Sequence, residues 1–202
     1  MLPERVFCPP VVLRHFRPDD ASGVQQLAGD RAVADTTAVI PHPYPGGMAE
    51  AWIATHEDER ARGTQYVFAI ARAVDEKLVG AIALRPVASE HENVGYWIGR
   101  EYWGNGYATA ATHAMMALAF SCLDCQQITA SYLTRNPASG RVLEKCGLVL
   151  VPASYGITAA SPRNFACVES RVTPGSSYVR RYARSARSAC RTGSGTGASV
   201  NA

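Results

Sequence analysis

Apolar positions along the chain recur with two periods, and the places where the period changes mark the joints between elements. In NVGYWIG (93–99) Val94, Tyr96 and Ile98 alternate with Gly95, Trp97 and Gly99, which is a strand period. From 107 to 120 the residues Ala108, Ala111, Met115 and Leu118 recur at helical spacing. The switch falls on a turn containing Gly104 and Gly106. Upstream, VVLRHF (11–16) reads as a first strand and Pro18-Asp19-Asp20 stops it, its carboxylates expected to cap a helix near 20–29 with Val24 and Leu27 inward. IPHPYPGG (40–47) carries Pro41, Pro43 and Pro45 and is predicted to be a stiff loop, because proline removes donors and fixes φ. A helix over 49–62 follows, with Trp52 and Ile53 inward and Gly63 at its end. TQYVFAIARA (64–73) and KLVGAIALRPV (77–87) alternate like an antiparallel hairpin turning at Asp75-Glu76, and 93–99 returns as a second hairpin. QITASYLT (127–134) reads as a further strand. Asn136 and Pro137 then cap and open a helix ending near Cys146, with Gly147 beyond it, and 164–172 reads as a last strand.

The glycine turn carries the chemistry. Residues without Cβ let backbone N–H groups turn toward a ligand while the new helix points its positive end the same way. No acidic side chain lies between Glu101 and Asp124, so the helix start is predicted to hold an anion. Gly99 and Gly104 have nucleotide P-loop spacing, but Asn105 and Gly106 stand where Lys and Ser or Thr are needed. A dinucleotide fingerprint starting at Gly104 and Gly106 fails at Thr109. What REYWGNGYATAA resembles is the acetyl-CoA pyrophosphate loop of the GNAT family of N-acetyltransferases, whose pattern is Gln or Arg, two residues, Gly, one residue, Gly or Ala. Here Glu101, flanked by Arg100, takes the first position. The wording GYWIG…YWGNGYAT is similar to the RimJ/RimL-like branch, and NPASGRVLEKCG resembles the family's segment after its fifth strand. The resemblance covers roughly Val11 to Leu148.

It implies an α/β (α+β) fold, a mixed and mostly antiparallel central sheet flanked by helices, with acetyl-CoA in the cleft between the fourth and fifth strands (93–99 and 127–134). The co-substrate's pyrophosphate is expected on the N–H groups of Trp103, Gly104, Asn105, Gly106, Tyr107 and Ala108. Its pantetheine arm is expected along the open edge of the fourth strand, with Trp97 or Ile98 supplying an oxyanion donor. Asn136 is expected to hydrogen-bond the pantetheine and Ser139 to lie near the sulfur. The family commonly carries Glu two residues before the GYW glycine as proton acceptor; that position is Asn93 here, and Glu92 is the candidate base. Glu92 needs a bulge to share Asn93's face. Tyr44 and Trp52 are expected to wall the acceptor side.

The 202-residue chain, 47% hydrophobic, is long enough for one good core, and one N-acetyltransferase domain over 1–174 is expected. Residues 175–202 hold six Ser, four Gly, five Arg and no acid, and read as a disordered tail. The net charge of +3 comes from that tail, since 1–174 carry 15 basic against 17 acidic side chains; DNA is therefore not an expected partner. No apolar run reaches spanning length and MLPERVFCPP lacks a signal-peptide pattern, so no membrane association and a cytoplasmic chain are expected. The six cysteines lack paired metal-ligand spacing and read as reduced thiols, with no metal. The expected activity is acetyl transfer from acetyl-CoA to a primary amine, a protein N-terminus before a small molecule such as a polyamine, amino acid or antibiotic. A non-catalytic acyl-CoA-binding module is the rival from another class, and a homodimer is left open.

Overall fold

The computed structural model describes residues 2–88, 91–123, 125–150 and 165–170; for 87, 88, 91, 92, 150 and 165–170 it describes the backbone only. Its elements run β1 (Arg5–Cys8), β2 (Val11–Arg14), α1 (Ala21–Ala28), α2 (Arg31–Ala34), α3 (Met48–Ala61), β3 (Tyr66–Arg72), β4 (Leu78–Ala88), β5 (His91–Ile98), α4 (Tyr107–Cys122), β6 (Gln127–Leu133), α5 (Pro137–Lys145), β7 (Val149–Leu150) and β8 (Phe165–Ser170). The eight strands join one sheet of order β1-β2-β3-β4-β5-β6-β8-β7. Every neighbouring pair is antiparallel except β5–β6. β1, β7 and α2 are the elements that periodicity does not foresee, being four, two and four residues long. Expectations on the 175–202 tail lie outside the described residues.

The sheet core is Leu13, Phe68, Ile70, Ile82 and Leu84, closed over by Met115 and Leu118 of α4, all essentially without solvent exposure. The segment 40–47 is loop, as its prolines require, with the peptide bonds before Pro10 and Pro43 cis. Gly63 and Gly147 both take positive φ just beyond α3 and α5. Past α5, Leu148 N–H returns to the Leu143 carbonyl (3.1 Å) and Gly147 N–H to that of Glu144 (2.9 Å), which occupies otherwise orphaned acceptors.

Two expectations change. Asp20 sits at the N-cap of α1 but makes no cap bond to that helix; its carboxylate takes both Arg14 guanidinium nitrogens (2.7 and 2.8 Å) and, as half of a capping box on the 3-10 turn Pro18–Asp20, the Arg17 N–H (2.8 Å). An almost buried arginine needs its charge matched more than a short helix needs a cap. Cys122 is disulfide-bonded, not reduced, to a residue outside the described side chains, while the Cys125 Sγ donates to the Gln127 carbonyl (3.1 Å). No described helix is long and apolar enough to cross a membrane.

α3 is anchored by an aromatic cluster. Trp52 meets the His56 ring edge-on at 4.5 Å and Phe16 at 5.1 Å, and Phe16 lies 5.2 Å from His56. His56 is buried, with neither ring nitrogen hydrogen-bonded among the described residues. Burial, then the Arg60 and His15 charges, push its pKa down from 6.5 to about 4. The neutral ring is therefore the folded form, so its stabilising contribution is complete above pH 6.5 and is lost as pH falls toward 4. His56→Leu is expected to remove about 2–3 kcal/mol of the stability lost between pH 7 and 4.5, read from urea unfolding at both pH values. An unchanged acid sensitivity in the variant would assign that loss to His15 and His113 instead, whose pKa values burial also lowers.

Candidate functional site

Among the described residues β5 and β6 pair over three positions, His91, Glu92 and Asn93 against Gln127, Ile128 and Thr129. Beyond them β5 stays on β4 while β6 stays on β8, and the sheet splits into a cleft of about 790 Å³. The Gly99 N–H donates to the Val79 carbonyl (2.8 Å), which fixes the alternation along β4–β5. Trp97, opposite Ala81, is hydrogen-bonded into β4; Tyr96 and Ile98, opposite Ile82 and Gly80, turn their backbone groups toward the split. Of the two expected oxyanion donors, Ile98 is thus the one whose N–H faces the cleft, while Trp97 contributes as lining. The Ile98 carbonyl is already taken by the Trp103 indole N–H (2.7 Å).

The mouth of the split is the glycine turn. Gly104 and Gly106 have φ of 81° and 75°, a region that side chains rarely adopt, and a Cβ built on either meets nothing within 4 Å. The first intrahelical bond of α4 runs from Ala110 N–H to the Gly106 carbonyl (3.0 Å), so the N–H groups of Tyr107, Ala108 and Thr109 have no acceptor within the helix. The Asn105 side chain ties the turn down through the Tyr102 and Trp103 carbonyls (3.1 and 3.2 Å). A cradle of N–H groups with room above it and no acid in the first helical turn suits a phosphate.

On the far wall Asn136 caps α5. Its Oδ1 accepts from the Ser139 N–H (3.3 Å) and its Nδ2 donates to the Thr36 carbonyl (3.3 Å), while the Arg135 Nε donates to the Asp35 carbonyl (2.9 Å). These bonds lash the helix start to the loop after α2. Ser139 Oγ lies 2.9 Å from Tyr96 Oη. Burial pushes the Tyr96 phenol up to about 12, so at neutral pH it is protonated and able to donate. Tyr96 is the residue that sequence reasoning missed: its period marks it as a strand residue, and nothing local shows that it spans the cleft to a helix 43 residues on.

All the expected donor-side residues, with Tyr44 and Trp52, line this one cleft. Trp52 serves twice, as cleft wall and as a member of the aromatic cluster. Glu92 is paired with Pro86 and Ile128, and its side chain lies outside the described residues. The register through Glu92 and Asn93 is unbroken on both neighbours, and the irregularity nearby falls in β4 between Pro86 and Ala88; no bulge in β5 separates the two residues. Among the described lining residues there is no Asp or Glu, and Arg85, Arg141 and Lys145 are the charged ones. No cluster of described residues has the makings of a metal site.

A family model described as an acetyltransferase (GNAT) domain matches residues 11–149. The Bacillus subtilis protein named "Probable N-acetyltransferase YjcK" is 31% identical over 98 residues, which is 47% of this chain and 54% of that one. The chain spans about half the length of the curated relatives it matches. Among solved structures, Mycobacterium smegmatis RimJ in complex with CoA-disulfide superposes with a TM-score of 0.73 at 20% identity, covering 93% of this chain and 98% of that one. A GNAT-family acetyltransferase from Bacillus anthracis gives 0.70 at 17% identity, with 83% and 98% covered.

Proposed function

Since the chain belongs to the GNAT acetyltransferase family, we propose that it transfers an acetyl group from acetyl-CoA to a primary amine, that of a protein N-terminus, by direct attack within a ternary complex. The observation that carries this reading is the split between β5 and β6 with the glycine turn at its mouth, a slot for an extended arm ending in phosphates. The fold shared with RimJ, a protein solved with a CoA disulfide, supports the donor. A bound acetyl-CoA would supply the activated thioester. The N–H groups of Gly104 to Ala108 would hold its pyrophosphate, the Trp103 N–H being taken by the Arg100 carbonyl (3.2 Å), and Asn136 and the Tyr96–Ile98 edge would hold the arm. The Ile98 N–H stabilises the oxyanion that develops on the thioester carbonyl.

Ser139, oriented by the Tyr96 hydroxyl, donates to the departing thiolate; charge leaving on sulfur is met by a hydroxyl whose own proton is aimed by a second one. Glu92 is the proposed base for the substrate ammonium, directly or through water. The reading is tested by thiol release from acetyl-CoA with a panel of peptides. Ser139→Ala is expected to lower kcat about 100-fold with donor affinity unchanged, and Glu92→Gln to erase the acidic limb of kcat/KM. A kcat that survives in the serine variant, or an unaltered profile in the glutamine variant, removes that residue from the mechanism. A folded protein that binds acetyl-CoA yet accepts no amine is a binding module.

A further inference from the structure

A polar row crosses the sheet where the split begins. Arg85 of β4 stands directly opposite Asn93 of β5, which stands opposite Thr129 of β6. The Asn93 Nδ2 donates to Thr129 Oγ1 (3.2 Å), and Arg85 donates Nε and Nη2 to Gln65 Oε1 (3.0 and 2.6 Å). Gln65 holds the guanidinium by one edge and neutralises none of its charge. Of the five N–H donors an arginine carries, three stay available. Arg14, Arg5, Arg17, Arg31 and Arg72 each lie against a carboxylate; the two cleft-lining arginines, Arg85 and Arg141, have none among the described residues, and Arg85 is the one opposite Asn93.

Asn93 offers Oδ1 as an acceptor at the same place. Side chains opposite one another across an antiparallel pair stand about 5 Å apart at Cβ. An amide oxygen and a guanidinium on adjacent strands therefore match an ammonium and a carboxylate carried close together on one molecule. The charged residues of the described lining, Arg85, Arg141 and Lys145, are all cationic, and a polycationic acceptor would meet like charge at them. We propose that Arg85 is a specificity residue that selects acceptors bearing a carboxylate next to the reactive amine. On the N-terminal reading above, on which this rests, that is a peptide with Asp or Glu at its first or second position.

The test measures kcat/KM on matched pairs with the full chain and saturating acetyl-CoA. Peptides beginning Ser-Asp are compared with Ser-Asn, and free glutamate with its α-amide isoglutamine, using wild type, Arg85→Gln and Arg85→Glu. Wild type is expected to favour the acidic member at least about tenfold. Arg85→Gln brings the ratio near one by losing the acidic substrate alone, so its activity on the amide member reports that it is folded. Arg85→Glu moves the preference to a Ser-Lys peptide. Peptides used without regard to the acid, or a preference that survives Arg85→Gln, overturn the inference and leave the N-terminal reading standing. Glutamate used in place of every peptide, with the same dependence on Arg85, keeps carboxylate selection and removes the N-terminal reading. If neither class is used, both fall.

Discussion

Gly106→Trp is expected to abolish acetyl-CoA binding while the protein stays folded. Gly106 holds φ at 75° as the N-cap of α4, and a side chain there enters open space and not the core. Gly106, Tyr107 and Ala108 line the same cleft at the start of the helix, so an indole at 106 is expected to displace the phosphates instead of disturbing packing. The backbone strain of a left-handed tryptophan costs roughly 1–2 kcal/mol, within what a domain tolerates. Calorimetric titration beside wild type should show a loss of affinity of at least about 100-fold, since an anion cradle contributes several charge-assisted hydrogen bonds. Equal affinity in the two proteins would move the phosphates off this turn.

The second large effect is on stability. A Cβ added to Gly80 lies 2.2 Å from the Trp97 carbonyl oxygen and 3.1 Å from Ile98 Cα, both backbone atoms of the facing strand. Neither can rotate away, so Gly80→Ala forces β5 off β4 at the point where β5 presents its open edge. A destabilisation of about 3 kcal/mol is expected, with a fall in Tm of roughly 6–12 °C. Gly95, two residues along from Trp97, is the control: its Cβ meets nothing within 4 Å, and Gly95→Ala should fall within about 1 kcal/mol of wild type. Equal shifts in the two variants would mean that the ladder gives way at Gly80, contrary to the packing described.

The long elements were legible because each has one period and clear punctuation. β3 and β4 alternate around a polar turn, α4 repeats alanine at helical spacing, and Asn136-Pro137 opens α5. The short ones were not. β1 has four residues beside two prolines, and it is a strand because Arg5 to Cys8 pair with Arg14 to Val11, a tertiary fact with no local period. Asp20 shows the same limit, since its residue type and place suit a cap and only the distant environment of Arg14 decides otherwise. In the site, the backbone cradle followed from glycine spacing. The Tyr96–Ser139 bond and the Gln65–Arg85–Asn93–Thr129 row did not, because each joins residues from separate elements.

The three-pair seam between β5 and β6 makes this sheet two rafts moored at a single cleat. β1 to β5 form one, β6 to β8 the other, and past Asn93 no backbone ladder joins them. On the reading proposed above, a pantetheine arm laid in the gap would be bonded on the β5 side and tied to α5 through Asn136, so the donor would act as a missing plank. Occupancy is then coupled to rigidity: at 100 times its dissociation constant, a ligand that binds only the folded state adds about 2.7 kcal/mol. Spent CoA keeps the same arm and the same phosphates. On that reading the planking would still be in place after the acetyl group has gone, and the rafts would loosen only when the thiol product leaves.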